Sequence, residues 1–269
     1  DCYFPTPSPD GTSIAFASND SSAQRERRTP GKLELCVIPA TGGRVQRLVR
    51  NLSGLGPIAW SPDAKRLAYV SGGQEYAYAQ SYLWTVDATD GGEPTQITDD
   101  WLHPTAAGIP LAEPPPLRWT GRRIIFQAER HGSTGLYSAT PSGSRVDALR
   151  TPEELAAGLA LTPDASRAAV LASTLTRPNE ITAVDLEATE ERQLTDVNAA
   201  YLRTHKPGRT ERFTFRRDDL DIECWLTFPP AFDRKKKSGR REYVRVHLEY
   251  GDDGVLEAHA FHREGAGLL

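Results

Sequence analysis

Several side-chain groupings in this 269-residue chain are of types that do chemistry. A hydrolytic serine stands on a sharp Gly-x-Ser-x-Gly turn and is followed along the chain by an acid and a histidine; no Gly-x-Ser-x-Gly occurs here. Gly132-Ser133-Thr134-Gly135 and Ser142-Gly143-Ser144 come nearest, but both lie between apolar stretches, where glycine and serine build turns. His259-Ala260-Phe261-His262, with His247 and Glu257 nearby, offers metal-ligating groups. The pair is one residue short of the His-x-x-x-His spacing that sets two imidazoles on one helical face, and exposed tail histidines are the competing reading. Asp218, Asp219 and Asp221 sit on adjacent positions, a pattern of turn formers more than of an acid/base pair. The basic run Arg234-Lys235-Lys236-Lys237-Ser238-Gly239-Arg240-Arg241 could contact phosphate or serve as a solvated linker. These residues predict no catalytic, cofactor-binding or metal-binding position within the chain.

Composition narrows the classes. A net charge of −4 and a pI near 5.9 argue against nucleic acid as partner, and no run of about eighteen apolar residues is present to span a membrane. Cys2, Cys36 and Cys224 are too scattered for a disulfide framework or zinc site and read as buried thiols of a reducing compartment, the cytoplasm, with one disulfide left open. Asn19-Asp20-Ser21 and Asn51-Leu52-Ser53 match glycosylation acceptors, triplets that also arise by chance. The sequence begins at Asp1 and contains no methionine, so a fragment or processed chain is expected.

The elements that must carry these residues are repeated. A Pro/Asp/Gly-type turn, an apolar alternating strand, a second strand and a glycine turn recur in four copies, with the marker residues Gly11, Ala64, Gly121 and Ala165 spaced by 53, 57 and 44 residues. Those periods suit four-stranded propeller blades with loop insertions. The third and fifth residues after each marker, Ile14/Phe16, Leu67/Tyr69, Ile124/Phe126 and Ala168/Val170, share one strand face by period-two alternation. Two copies close on Gln96-Ile97-Thr98 and Gln193-Leu194-Thr195. One blade cannot bury both faces of its sheet, so the copies stack around an axis. A β-sandwich is the alternative, but it does not account for the recurrence of whole hairpin pairs. The prediction is an all-β β-propeller of about four recognisable blades, either four-bladed or part of a larger propeller; in the second case its end blades expose unpaired edges that promote association.

The pattern then changes. Glu211 to Phe215 and Leu220 to Phe228 read as two strands around a turn at the aspartates, stopped by Pro229-Pro230. This is not a fifth blade, because the closing glycine turn is missing. The order of Ser-Pro-Asp-Gly blades, Arg192-Gln193-Leu194-Thr195 with Asn198, and Phe213, Arg216, Asp218, Ile222, Trp225-Leu226 and Pro229 resembles the prolyl oligopeptidase family of serine peptidases, in the manner of its acylaminoacyl-peptidase and dipeptidyl-peptidase-like members. The resemblance runs from about Tyr3 to about Asp233. Blade phrases alone are shared with Tol-associated propellers; the join of the last blade to the 213–229 segment is the more specific signal. The resemblance implies a seven- or eight-bladed propeller over the mouth of an α/β-hydrolase domain, with 213–229 as that domain's entering hairpin. The family follows this with a lysine-rich spacer, Tyr-Pro, an apolar strand and His-Gly-Gly-Pro. Here Tyr243 fits and Tyr250-Gly251 falls where His-Gly would stand, but the match ends near Arg240, so no oxyanion role passes to Tyr250.

The resulting division is 1–200 blades, 201–233 junction and entering hairpin of a truncated hydrolase domain, and 234–269 basic linker and unassigned tail. The function expected is a non-catalytic, substrate-gating propeller whose partners are its own hydrolase domain and, through it, short peptides; the catalytic Ser, Asp and His lie beyond Leu269, and no cofactor is expected. Loop insertions such as Arg25 to Pro30 or Gly72 to Gln80 would meet substrate. A stand-alone propeller binding a protein or peptide is the alternative, and a small hydrolase using the tail carboxylates and histidines is a third.

Overall fold

The computed structural model describes residues 2–19, 32–72, 80–99, 102–104, 117–150, 155–188, 190–232, 246–250 and 256–260. The chain divides into two compact units, Asp1–Phe228 and Pro229–Leu269.

The first unit contains four antiparallel blade sheets, three of four strands and one of five, each with its four main strands in sequence order. Blade one is β1 (Cys2–Pro7), β2 (Ser13–Ser18), β3 (Lys32–Pro39) and β4 (Gln46–Ser53). Blade two is β5 (Ile58–Trp60), β6 (Arg66–Ser71), β7 (Tyr82–Asp87) and β8 (Gly91–Gln96). A two-residue strand β9 (His103–Pro104) pairs with β11 of blade three, which is β10 (Arg118–Thr120), β11 (Arg123–Arg130), β12 (Ser133–Ala139) and β13 (Val146–Arg150). Blade four is β14 (Leu155–Leu161), β15 (Arg167–Thr174), β16 (Arg177–Asp185) and β17 (Glu191–Gln193). These are the blades of a β-propeller, as the repeat predicts.

The repeated turn closes the first hairpin of blades one, two and four by the same bonds. In blade one Ser8 Oγ donates to Asp10 Oδ1 (2.5 Å) and accepts from Ser13 N (3.0 Å), while Gly11 N bonds Ser8 O (2.9 Å). Ser61 with Asp63 and Thr162 with Asp164 repeat this, at 2.6 Å between hydroxyl and carboxylate in both. The marker residue takes a positive φ each time: 71° at Gly11, 57° at Ala64, 49° at Gly121 and 52° at Ala165. A hydroxyl and a carboxylate two residues apart thus satisfy the backbone of a turn whose last residue is left-handed.

The inner strands of blades two and three are packed on both faces. Leu67 and Tyr69 look back onto blade one, joining Ala15, Ala17 and Leu35 in one apolar cluster; Ile124 and Phe126 look back onto Ala68, Val70 and Leu83; Ala168 and Val170 look back onto Ile125 and Leu136. Three junctions therefore hold four blades, and among the described residues no cluster joins blade four to blade one. Polar ties cross the same junctions: Trp60 Nε1 to Thr6 O (2.9 Å), Arg66 over the Trp119 ring (5.5 Å) and Gln127 Nε2 to Gly158 O (3.2 Å).

Blade four leaves its forward face uncovered. Leu171 and Ile181, directly paired across β15 and β16, are 40% and 39% exposed, whereas the equivalent pairs Ala17/Leu35 and Val70/Leu83 are between 0% and 1% exposed. The terminal exposure expected at strand edges thus lies on a sheet face, because successive blades meet face to face. The isolated chain is expected to self-associate through this face in light scattering, and Ile181→Lys to reduce that association; a monodisperse wild-type monomer would contradict it.

After blade four come a short helix α1 (Ala199–Thr204) and the antiparallel hairpin β18 (Thr210–Arg217) and β19 (Leu220–Thr227), the strand, aspartate turn and strand expected from sequence. In the second unit β20 (Val246–Tyr250) pairs with β21 (Leu256–Ala260). Among the described residues no helix is long and apolar enough to cross a membrane.

Candidate functional site

The blade-closing Gln-x-Thr phrases act by a common device. Gln96 Nε2 reaches Thr98 O (2.8 Å) and Thr98 Oγ1 accepts from Leu83 N (3.0 Å); Gln193 Nε2 reaches Thr195 O (2.6 Å) and Thr195 Oγ1 accepts from Ile181 N (2.8 Å). In blade four a buried carboxylate extends it. Glu180, 3% exposed, accepts from Thr195 Oγ1 (2.5 Å), Val197 N (3.1 Å), Asn198 N (3.0 Å) and Asn198 Nδ2 (3.0 Å). These bonds, the Thr195 hydroxyl foremost, hold its pKa down at about 2. Glu180 thereby fixes the segment that leaves the last blade towards the hairpin.

The hairpin has two unlike faces. Arg212, Thr214, Glu223 and Trp225 share the face that meets the β11–β12 turn of blade three. Glu223 Oε1 accepts from Arg212 Nη2 (2.6 Å) and lies 3.3 Å from His131 Nδ1, and the Arg212 guanidinium sits 5.7 Å over the Trp225 ring. Trp225 packs against Gly132, where φ is +66° and an added Cβ would collide with the indole, so glycine is required twice over. On the opposite face Phe213, Phe215, Leu220 and Leu226 are 46%, 45%, 69% and 47% exposed.

Between hairpin and turn lies a cavity of about 890 Å³, lined in part by His103, Glu129, His131, Asp219, Asp221 and Glu223. A second hollow, of about 490 Å³, lies where the innermost strands converge and is walled by Thr6, Pro9, Trp60, Pro62, Trp119 and Pro163. The first is rich in carboxylates and the second in aromatic and proline surface; both have the size of ligand sites.

The residues singled out in the sequence are mostly structural. Ser142 Oγ bonds Ser144 Oγ (3.0 Å) in the β12–β13 turn, a hydroxyl chain with Thr140 and no base, so nothing there activates a nucleophile. Ser133 opens β12 opposite Arg130 and no described base bonds it. Asp218 and Asp219 form the exposed hairpin turn, with Asp218 at φ 54°, and Asp221 lies in β19. Of the three thiols expected to be buried only Cys36 is, and burial raises its pKa to about 11; Cys2 is exposed and Cys224 half-buried, because both lie on strands with an open face. His247 and His259 occupy opposed register positions in β20 and β21, while His262, the basic run 234–241 and the loop Arg25 to Pro30 lie outside the described residues, as does 73–79. Among the described residues no group of three or more His, Cys, Asp or Glu could hold a metal ion.

Sequence reasoning missed Glu180 and β9. A lone Glu before an apolar alternation reads as solvent-facing; its partners stand 15 to 18 residues away. The signal available was the Thr195-x-x-Asn198 pair.

No family model matches the sequence, and no curated protein matches it. Solved structures do. A puromycin hydrolase S511A mutant complexed with PGG is 20% identical, with a TM-score of 0.58 over 84% of this chain and 33% of that one. A Mycobacterium tuberculosis puromycin-hydrolyzing peptidase is 16% identical, with a TM-score of 0.59 over 84% of this chain and 34% of that one. TolB from Acinetobacter baumannii is 16% identical, with a TM-score of 0.52 over 84% of this chain and 52% of that one. The chain spans between a third and about half of the length of these proteins, and what they share with it is the propeller fold.

Proposed function

We propose that the chain is the propeller portion of a prolyl-oligopeptidase-like serine peptidase of acylaminoacyl or dipeptidyl type. Its role is non-catalytic: it restricts access to a hydrolase domain carried elsewhere in the intact enzyme, so that short peptides pass and folded proteins do not. The observation that carries this reading is the face of β18–β19 on which Phe213, Phe215, Leu220 and Leu226 are left exposed, while on the other face Trp225, itself 42% exposed, touches Gly132 of blade three. A domain built onto this hairpin would cover that stripe, and exposed apolar surface of this kind marks an interface. The likeness to propellers of puromycin-hydrolyzing peptidases and the open blade array support it further. The free cysteines fit a cytoplasmic enzyme.

Purified chain treated with a fluorophosphonate serine probe is expected to remain unlabelled; stoichiometric labelling would place a nucleophile within it and end the non-catalytic assignment. The locus past the Leu269 codon is expected to encode, in frame, Gly-x-Ser-x-Gly followed by Asp and His, and a coding sequence without them would remove the peptidase reading. A stand-alone module that binds a protein or peptide is the second reading, favoured by the aromatic and proline walls of the axial hollow. Recovery of one specific partner without any peptidase subunit would select it.

A further inference from the structure

We infer that the cavity between the β18–β19 hairpin and blade three binds the primary ammonium group of an alkylamine through Glu129 and Thr134. His103, Glu129 and Thr134 stand in one row across β9, β11 and β12: His103 is directly opposed to Glu129, and Glu129 to Thr134. Directly opposed residues share a sheet face with Cβ atoms about 4.5–5.5 Å apart, and all three line the cavity. Thr134 is only 8% exposed, and its hydroxyl bonds no described residue. Nearly every polar side chain buried to this degree has a partner, so an unmet hydroxyl on a cavity wall calls for one that enters the cavity. Glu129 lies directly across the ladder, yet no hydrogen bond joins the two.

Part of the charge around this point is already matched. Glu223, on the hairpin wall, takes Arg212 and His131, and Asp221 has Arg216 at 3.9 Å. Glu129 and the turn residue Asp219 are the carboxylates of the lining without a cationic partner among the described residues. Arg130, the guanidinium of the lining, follows Glu129 directly and so belongs to the other face of β11. An unpaired carboxylate and an unmet hydroxyl therefore coincide at Glu129 and Thr134. Among the described residues no three ligating side chains converge to hold a metal ion. An ammonium group fits the pair: it supplies the charge for Glu129 and has three N–H donors, one of which serves Thr134 Oγ1. An alcohol would meet the hydroxyl and leave the carboxylate unpaired, a quaternary ammonium would do the reverse, and a guanidinium fork suits the two oxygens of one carboxylate better than two separate side chains. A free diamine and a lysine side chain share the ammonium chemistry. The site lies within the first unit, so it does not depend on the peptidase reading.

The test is ligand-observed saturation-transfer NMR of the full chain, titrated at constant ionic strength with putrescine, Nα-acetyl-lysine amide, butanediol and tetramethylammonium. At least one of the two amines is expected to bind saturably, with butanediol and tetramethylammonium at least about tenfold weaker; the tighter amine identifies the source as a free diamine or a lysine side chain. Glu129→Gln and Thr134→Val should each weaken that amine by about tenfold or more. Asp218→Asn, on the hairpin turn but outside the lining, should leave its affinity within about twofold of wild type. Glu129 is exposed and valine keeps the shape of Thr134, so both variants fold, and unchanged tryptophan emission verifies this. No saturable binding of either amine at millimolar concentration, butanediol or tetramethylammonium binding as tightly as the amines, or full affinity after Glu129→Gln or Thr134→Val each overturns the inference.

Discussion

Gly91→Ala is expected to destabilise the first unit by about 2–5 kcal/mol. Gly91 opens β8 at φ +85°, and a Cβ there would stand 2.6 Å from Leu48 O and 3.1 Å from Leu48 Cα, on β4 of the preceding blade. Two costs combine: about 1–2 kcal/mol for an L-residue in the left-handed region and about 1–3 kcal/mol for forcing atoms into a packed junction. The obstructing atoms are backbone, so no side-chain rotation relieves them, and Leu48 lies in the apolar cluster that joins blades one and two. Gly42→Ala is the control, because Gly42 has φ +83° but nothing within 4 Å of an added Cβ. It should show only the backbone cost, about 1–2 kcal/mol. Urea midpoints followed by tryptophan emission separate the two, since Trp60 and Trp119 are buried within the junctions. Equal midpoints for both variants would mean that blades one and two are not closely packed at this contact.

How much of this was legible in the sequence depends on the range of the interaction. The turn is local: a hydroxyl at one position and an aspartate two later determine it, and the third copy forms without them because Gly121 supplies the left-handed residue. Alternation showed one buried face, Ile14/Phe16 and their counterparts. The opposite face was concealed by its composition, since Ala15, Ala17 and Ala68 are wholly buried yet carry little hydrophobic signal. β9, only His103–Pro104, has no period to read. The hairpin was visible in Phe213 to Pro229, but not which face would touch the blades: Phe213 and Phe215 suggest an inward side, and the structure brings Glu223 and a still partly exposed Trp225 against His131 and Gly132. That choice rests on Gly132, some ninety residues away in sequence. The cavity at this contact was invisible for the same reason, its walls coming from two stretches with no shared motif.

Glu180→Gln is expected to release the connector between the last blade and the hairpin while leaving the other blades folded. The four donors around Glu180 are shared between its two oxygens, Thr195 Oγ1 and Val197 N on one, Asn198 N and Nδ2 on the other. A glutamine can accept on one side only; on the other its amide N–H groups confront donors, and buried donors are left unpaired. Limited proteolysis should then cut within 194–204 well before wild type does, and hydrogen exchange should rise there and across β18–β19. The pH dependence has a definite sign. The carboxyl is held at about 2 in the folded chain against an ordinary value of 4.5, so its contribution is complete above pH 4.5 and is lost as pH falls towards 2. The gap in protease resistance between wild type and Glu180→Gln should accordingly be widest near neutrality and close across that interval. Asp164, held at about 2 by Thr162 and Ser166, titrates over the same range in both proteins and cancels in the difference. A gap that persists unchanged at pH 2.5 would mean that the charge of Glu180 does not hold the connector.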